Sequence, residues 1–178
     1  MSTTTPTGLI FQQGRPFFEM VMSFLAATVG MGPVFDPKNP LQLSSDTIAC
    51  YQGKLKPETS IDMHQIHQQC INGALTPETA VTTMCCMLIN STYEVAKDSN
   101  DHTPEFEFFR HIRNAASHNN RFNFYKTEPS RPASWSGFTI DDTKKGSANP
   151  LANKECVGTV ISPSDILALL YEIETRLP

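Results

Sequence analysis

The stretch Pro104–Phe124, PEFEFFRHIRNAASHNNRFNF, carries the signals of a helix and of a polar site on the same residues. Pro104 suits the first position of a helix, and the two glutamates of the first turn suit the positive end of the helix dipole. Asn119-Asn120 closes the segment with residues that favour a helix stop. Together these signals predict one helix of about four turns.

The two sides of this helix differ in chemistry. At about 100° per residue, one side collects the apolar residues Phe106, Phe108, Phe109, Ile112, Ala115 and Ala116. The opposite side carries what we call the polar row: Glu107, His111, Asn114 and His118. Such a row is typical of an ordinary exposed helix face, but the same groups can also donate, accept and titrate in a site. Arg113 lies on the border, where its head must extend to solvent or be held by a partner.

One run in this helix, Arg113-Asn114-Ala115-Ala116-Ser117-His118, places four residues between an arginine and a histidine, with an asparagine directly after the arginine. In this pattern, and in its position on the next-to-last helix of a small helical chain, the sequence resembles the HEPN superfamily (higher eukaryotes and prokaryotes nucleotide-binding). The resemblance covers the helical core loosely and Arg113–His118 specifically. It implies a mainly α fold, a HEPN-like bundle of four to five helices. A small antiparallel hairpin or sheet is expected before the last helix.

A guanidinium beside an imidazole suits the cleavage of RNA by its own 2′-hydroxyl. His118 can exchange the proton near neutral pH, Arg113 can bind the scissile phosphate, and Asn114 can orient either group. Five residues place Arg113 and His118 about 140° apart on an ideal helix. Convergence therefore requires that the helix end near Asn119, or that two copies meet about a twofold axis.

HEPN ribonucleases resemble the second solution, with motifs from two protomers facing one cleft. The resemblance therefore implies a metal-independent endoribonuclease that acts as a homodimer with a composite active site, with RNA as its substrate. Such enzymes are frequently toxins or phage-defence effectors, which implies an antitoxin or another regulatory protein as a partner. We expect no cofactor, no metal and no membrane partner. We assign substrate binding to the polar neighbours of the motif: Glu107, Arg110, His111, Asn120 and Arg121.

Two other functions fit the same residues. The first is a noncatalytic HEPN-like module that dimerises or binds nucleotide, RNA or a protein partner through this helix face. The second is a structural or regulatory helical protein without a nucleic-acid partner, in which the motif is a coincidence.

The formal net charge of −4 is divided unevenly along the chain. Residues 110–140 hold five arginines and lysines against one glutamate, whereas the segments on both sides are net negative. A polyanion such as RNA is therefore expected to approach the motif helix and its exit.

The remaining composition favours one cytoplasmic domain over residues 1–178, with a β-rich insertion at 121–161. Five cysteines, an odd number without paired spacing, indicate thiols in a reducing compartment. No apolar run is expected to reach the length of a membrane span, since Glu19 interrupts the nearest one.

Along the chain, the patterns predict further elements. The expected helices are Arg15 to Val29 (apolar on all sides), Ser45 to Gln52, Ile61 to Ile71, Thr76 to Lys97, and a last helix begun by Ser162-Pro163. The expected strands are Arg121–Tyr125, Trp135–Ile140 and Val157–Ile161. His64 and His67 are three apart on one helix and can ligate a metal, but a polar surface is the favoured interpretation because no third ligand is in register.

Overall fold

Helices dominate the computed structural model, which describes residues 11–38, 48–51 and 59–178; at 48–51 and 59–61 it describes the backbone alone. The helices are α1 (Phe18–Gly30), α2 (Gly32–Phe35), α3 (Met63–Ile71), α4 (Pro77–Ala96), α5 (Pro104–Ser117) and α6 (Pro163–Thr175). The strands are β1 (Ile48–Tyr51), β2 (Thr59–Asp62), β3 (Ala133–Trp135) and β4 (Phe138–Ile140). This confirms the predicted mainly α fold with a small antiparallel sheet before the last helix.

The described residues divide into two compact units, one within the bounds Met1–Phe24 and Thr82–Pro178 and the other within Leu25–Val81. The first unit contains α5, α6 and the β3–β4 hairpin, and the second contains α2, α3 and the β1–β2 pair. That residues 1–178 form a single domain stays a prediction.

The core of the first unit is built around α5. Its apolar side is buried, with Phe106, Phe108, Phe109, Ile112 and Ala115 each no more than 1% exposed. Phe108 stacks on Trp135 and Phe138 of the hairpin, at ring-centroid distances of 6.4 and 6.1 Å. The hairpin therefore covers the motif helix with aromatic rings, which contribute both buried area and favourable ring geometry.

Helix α6 begins where the sequence predicts it. Ser162 accepts a hydrogen bond from the Asp165 amide, and the Asp165 side chain accepts one from the Ser162 amide, so the pair forms a capping box. Near its other end, the buried Glu174 carboxylate accepts a hydrogen bond from the Phe17 amide at 2.7 Å. This contact ties the residues before α1 to the last helix.

The segment Trp135–Ile140, predicted as one strand, is instead the turn and second half of a hairpin. Ala133 pairs with Ile140 and Trp135 with Phe138, so only Ser136 and Gly137 remain for the turn. Both have positive φ, 46° and 87°, which is the backbone that a two-residue hairpin turn requires. A Ser-Gly step between aromatic residues is thus a turn signal, and reading it as strand interior was wrong.

The other two strand predictions in the insertion were also wrong. Arg121–Tyr125 and Val157–Ile161 form isolated bridges, Arg121 with Glu155 and Val157 with Ile161, rather than strands. The alternating apolar residues at 122 and 124 are buried as a stacked pair of rings. Alternation here reflects burial of one side of an irregular segment.

In the second unit, β1 pairs antiparallel with β2, from Ile48 opposite Asp62 to Tyr51 opposite Thr59. The predicted helix Ser45–Gln52 was therefore wrong over residues 48–51, and its remaining residues lie outside the described ones. The next helix begins two residues later than predicted, at Met63, because Asp62 caps it by accepting a hydrogen bond from the Gln65 amide.

One of the two histidines of α3, His67, differs from the predicted polar surface. His67 is 4% exposed and its Nε2 has no hydrogen-bond partner among the described residues. His64 is half-buried. Within the described ranges, no group of three histidine, cysteine, aspartate or glutamate side chains is placed to hold a metal ion.

Helix α1 is apolar on all sides, and within one chain it is only partly buried. Of its residues, Val21 and Phe24 are buried, whereas Met22 is 46% exposed and Val29 is 81% exposed. The segment Phe18–Phe35, with mean hydropathy 1.5, is long and apolar enough to span a membrane by length and composition. This corrects the expectation that no run reaches that length, although core helices and signal sequences pass the same test.

Candidate active site

Helix α5 ends at the motif histidine, as the Asn-Asn signal predicts. His118 is the residue after the last helical turn, with φ −112° and ψ 52°. Its amide donates to the Ala115 carbonyl at 3.0 Å, and Asn119 and Asn120 follow with positive φ of 55° and 60°. The imidazole is exposed, with the Asn123 amide nitrogen 3.5 Å from its Nδ1. The end of the helix therefore presents this side chain to solvent.

Arg113 is held against helix α4. Its Nη2 donates to Glu94 at 2.9 Å, and its guanidinium carbon lies 5.4 Å from the centre of the Tyr93 ring, a cation–π arrangement. Its Nε is buried without a hydrogen-bond partner among the described residues. The predicted border position is confirmed, and the outcome is a partner on the neighbouring helix.

A second contact extends this seam between α4 and α5. Ser117, four residues after Arg113, donates to the Asn90 side-chain oxygen at 2.6 Å, and Asn90 donates to the Cys86 carbonyl at 2.9 Å. Asn90 and Glu94 are four residues apart on α4, as Arg113 and Ser117 are on α5. Each helix therefore presents one pair of polar side chains to the other. Sequence reasoning missed this pair, although two polar residues at that spacing in an apolar helix were a usable signal.

Burial of the first half of the polar row corrects the expected exposed face. Glu107 is 0% exposed and His111 is 1% exposed. Arg110 connects them: its Nε donates to Glu107 at 2.9 Å, its Nη1 donates to Glu128 at 2.6 Å, and its Nη2 lies 3.1 Å from His111 Nε2. The insertion causes this burial, because it places Glu128 over Arg110 and the Phe124 ring against His111.

The electrostatics of this buried network follow from its contacts. Burial alone raises the pKa of the Glu107 carboxyl, but the hydrogen bond and charge of Arg110, and then a hydrogen bond from His102, hold it below its ordinary value. Burial also opposes the charge of Arg110, yet Glu128 and Glu107 raise its pKa. Both charges are thus maintained at neutral pH by each other.

His111 behaves differently, because burial and then the positive charge of Arg110 lower its pKa to about 4. A guanidinium only donates hydrogen bonds, so His111 Nε2 accepts and the ring proton lies on Nδ1. That Nδ1 is buried and has no hydrogen-bond partner among the described residues. His111 is therefore a neutral, buried group, and its contact with RNA stays a prediction that the burial does not favour.

This arrangement predicts a pH dependence of stability. Because the folded pKa of His111 is below its ordinary value, the unfolded chain binds more protons between about pH 6.5 and 4, and the folded state loses stability as pH falls through that window. The expected loss between pH 7 and pH 4.5 is about 2 kcal/mol, and His111→Gln should remove most of it. Denaturant titrations of both proteins at pH 7 and pH 4.5 measure the difference; equal losses in the two would contradict the expectation.

The last two predicted contact residues are engaged with the chain itself. The Asn120 side chain accepts from the Val157 amide at 2.8 Å and donates to its carbonyl at 3.0 Å. Arg121 is exposed and donates to the Asn153 carbonyl at 2.8 Å. Asn120 therefore fixes the segment before α6 to the end of α5, and Arg121 keeps part of its guanidinium open to solvent.

Asn114 lies between the buried and exposed ends of the polar row. It is half-buried, and no hydrogen bond of its side chain to the described residues is found. The structure thus exposes His118 at the end of α5, leaves Asn114 half-buried one turn before it, and directs Arg113 towards α4. Glu107, Arg110 and His111 form a separate group beneath the insertion.

Comparison with known proteins gives one result that bears on this geometry. The sequence model of a family described as HEPN pEK499 p136 matches residues 52–177, more than two thirds of the chain. The chain therefore belongs to the HEPN family. HEPN domains are nucleotide-binding or RNase-like modules that generally bind RNA and often dimerise. No curated protein and no solved structure matches the chain.

Proposed function

We propose that this protein is a metal-independent endoribonuclease that cleaves RNA through attack of the substrate's own 2′-hydroxyl. The observation that carries the proposal is the placement of the motif: Arg113 and Asn114 lie in the last turns of α5, and His118 is exposed where the helix ends. Membership of the HEPN family supports RNA as the ligand.

The reaction needs one proton removed and one supplied. The 2′-oxygen forms a bond to phosphorus as its proton leaves, and the bond from phosphorus to the 5′-oxygen breaks as that oxygen takes a proton. The products are a 2′,3′-cyclic phosphate and a 5′-hydroxyl. His118 serves as the acid/base, Arg113 stabilises the charge on the phosphate oxygens, and Asn114 orients the phosphate or the imidazole.

The contacts of Arg113 favour a composite site. Within one protomer its guanidinium is directed to Glu94 and Tyr93, whereas His118 is beside Asn123. A twofold arrangement lets the arginine of one chain meet the histidine of the other. Frequent dimerisation in the family supports this arrangement, and the exposed apolar side chains of α1 provide surface that needs covering.

Cleavage of RNA by the purified protein tests the proposal. We expect cleavage at neutral pH in the presence of a strong chelator, because the substrate provides the nucleophile and side chains provide the proton transfer. The new 5′ ends should be substrates for phosphorylation without prior phosphatase treatment, as 5′-hydroxyls are. Absence of cleavage at every pH from 5 to 9, or cleavage that the chelator abolishes, would refute it.

A noncatalytic HEPN module is the second candidate, and one observation favours it. Arg113 already has an ion pair and a ring contact, so it can act as a structural residue of the α4–α5 seam. In that case the helix end binds nucleotide, RNA or a protein without cleaving it. Growth of an expressing host distinguishes the two, since toxicity that His118→Ala relieves belongs to an active nuclease.

The proposed nuclease acts as a toxin or phage-defence effector in the cytoplasm, and its partner is an antitoxin or another regulatory protein. The described cysteines Cys70, Cys85, Cys86 and Cys156 are free thiols, which agrees with a reducing compartment.

A further inference from the structure

The positive charge near the motif helix is distributed differently from what the sequence suggests. Arg110 and Arg113 are compensated by carboxylates at 2.6 to 2.9 Å. Lys126 and Arg131, in contrast, are exposed residues of the insertion, and Arg131 approaches a carboxylate, that of Glu107, only to 3.9 Å. The cations that remain available to a polyanion therefore lie on the loop after α5.

A second loop joins this one and adds another cation. The Gly146 amide donates to the Glu128 carbonyl at 2.8 Å, and the Lys145 side chain donates to the Pro129 carbonyl. Gly146 has φ +53°, and a Cβ there would lie 3.3 Å from the Lys126 Cα. Glycine thus permits a close approach of the two loops, which we call the basic loop pair (residues 125–131 and 144–146).

The basic loop pair is fixed to the motif helix. Glu128 binds Arg110 of α5 at 2.6 Å, and Arg131 lies 3.9 Å from the buried carboxylate of Glu107. His102, which is half exposed, reaches the same oxygen of Glu107 at 3.2 Å. The exposed cations are therefore held at a defined position beside α5 rather than on an independent loop.

An exposed aromatic ring accompanies these cations. Tyr125, next to Lys126, is 68% exposed. A ring of this size in solvent beside basic residues is typical of proteins that bind single-stranded nucleic acid, where bases stack on the ring and cations follow the backbone. An acidic protein partner would use the same charges but has no need of a stacking surface.

We propose that the basic loop pair is a contact surface for single-stranded RNA, in which Lys126, Arg131 and Lys145 bind backbone phosphates and Tyr125 stacks on a base. The inference rests on the proposed function, since it assumes that RNA is the substrate held on α5. It assigns to the insertion the role of holding the strand that the motif cleaves.

The test measures binding apart from cleavage. The full-length His118→Ala protein is titrated with a short fluorescent single-stranded RNA at several salt concentrations. Each of Lys126→Gln, Arg131→Gln and Lys145→Gln should reduce the slope of log affinity against log salt by about 0.7, the value for one phosphate contact on a single strand. Tyr125→Ala should weaken binding about tenfold with little change in that slope.

Lys38→Gln is the matched control, because it removes one exposed positive charge from the second unit. Its slope and affinity should equal those of the parent protein. Unchanged slopes in all three loop variants would overturn the inference. It would also be overturned if Lys38→Gln reduced the slope as much as the loop variants do. Cleavage by the wild-type protein is assayed separately. Reduced slopes without cleavage would support the RNA-binding surface and refute the nuclease. Cleavage with unchanged slopes would support the nuclease and refute the surface.

Discussion

The His118→Ala protein is expected to cleave RNA at least about 100-fold more slowly than the wild type, and up to about 10,000-fold more slowly, the range in which general acid–base groups contribute. The loss should appear in the rate of the chemical step and not in RNA affinity, because the imidazole moves protons rather than anchoring the strand. His118→Gln should be equally slow, since an amide keeps polarity but exchanges no proton. Single-turnover cleavage assays measure the rate.

A mixed dimer shows whether the site is shared between chains. Arg113→Ala and His118→Ala are each expected to be inactive alone, and a dimer containing one of each should regain cleavage if arginine and histidine come from different protomers. A site within one protomer would leave the mixed dimer inactive. Exposure of His118 makes a folding defect an unexpected outcome, and an unchanged unfolding transition in denaturant checks this.

The elements predicted best from sequence are those with local signals at both ends. Helix α5 begins at Pro104 and ends before Asn119 because proline, first-turn carboxylates and left-handed asparagines each act within a few residues. Helix α4 begins after Thr76, which accepts a hydrogen bond from the Thr79 amide at 3.2 Å. Local chemistry was also sufficient to place Arg113 at the edge of the buried stripe.

The polar row could not be predicted in the same way, since its exposure depends on a segment distant in sequence. Glu107 and His111 read as a surface pair at four residues, but Glu128 and Phe124 of the insertion cover them. The periodicity of a helix predicts which residues share a face, but it does not predict which segment of the chain packs against that face. A glutamate, an arginine and a histidine within five residues nevertheless indicated that the polar groups of this face can pair with one another when the face is buried.

Arg110→Met is expected to destabilise the protein strongly. Methionine keeps most of the volume, but the substitution leaves the Glu107 carboxylate, 0% exposed, without the guanidinium that holds it at 2.9 Å. Removing one partner of a buried ion pair typically costs 3 to 5 kcal/mol. Since Arg110 is itself 20% exposed, we expect about 3 kcal/mol, measured as the free energy of unfolding in denaturant at pH 7.

Two controls separate this charge effect from a packing defect. The double variant Arg110→Met, Glu107→Gln should recover part of the loss, because no ionised carboxylate then stays buried at position 107. Lowering the pH should also reduce the difference in free energy of unfolding between the wild type and Arg110→Met. In the wild type the lowered pKa of Glu107 stabilises the folded state above the ordinary glutamate pKa, and this is lost as pH falls. In Arg110→Met, burial is expected to raise the pKa of Glu107, because the guanidinium no longer opposes it. Protonation of Glu107 then removes the cost of a buried, unpaired charge. A constant difference from pH 7 to pH 4 would show that packing, not the ion pair, accounts for the loss.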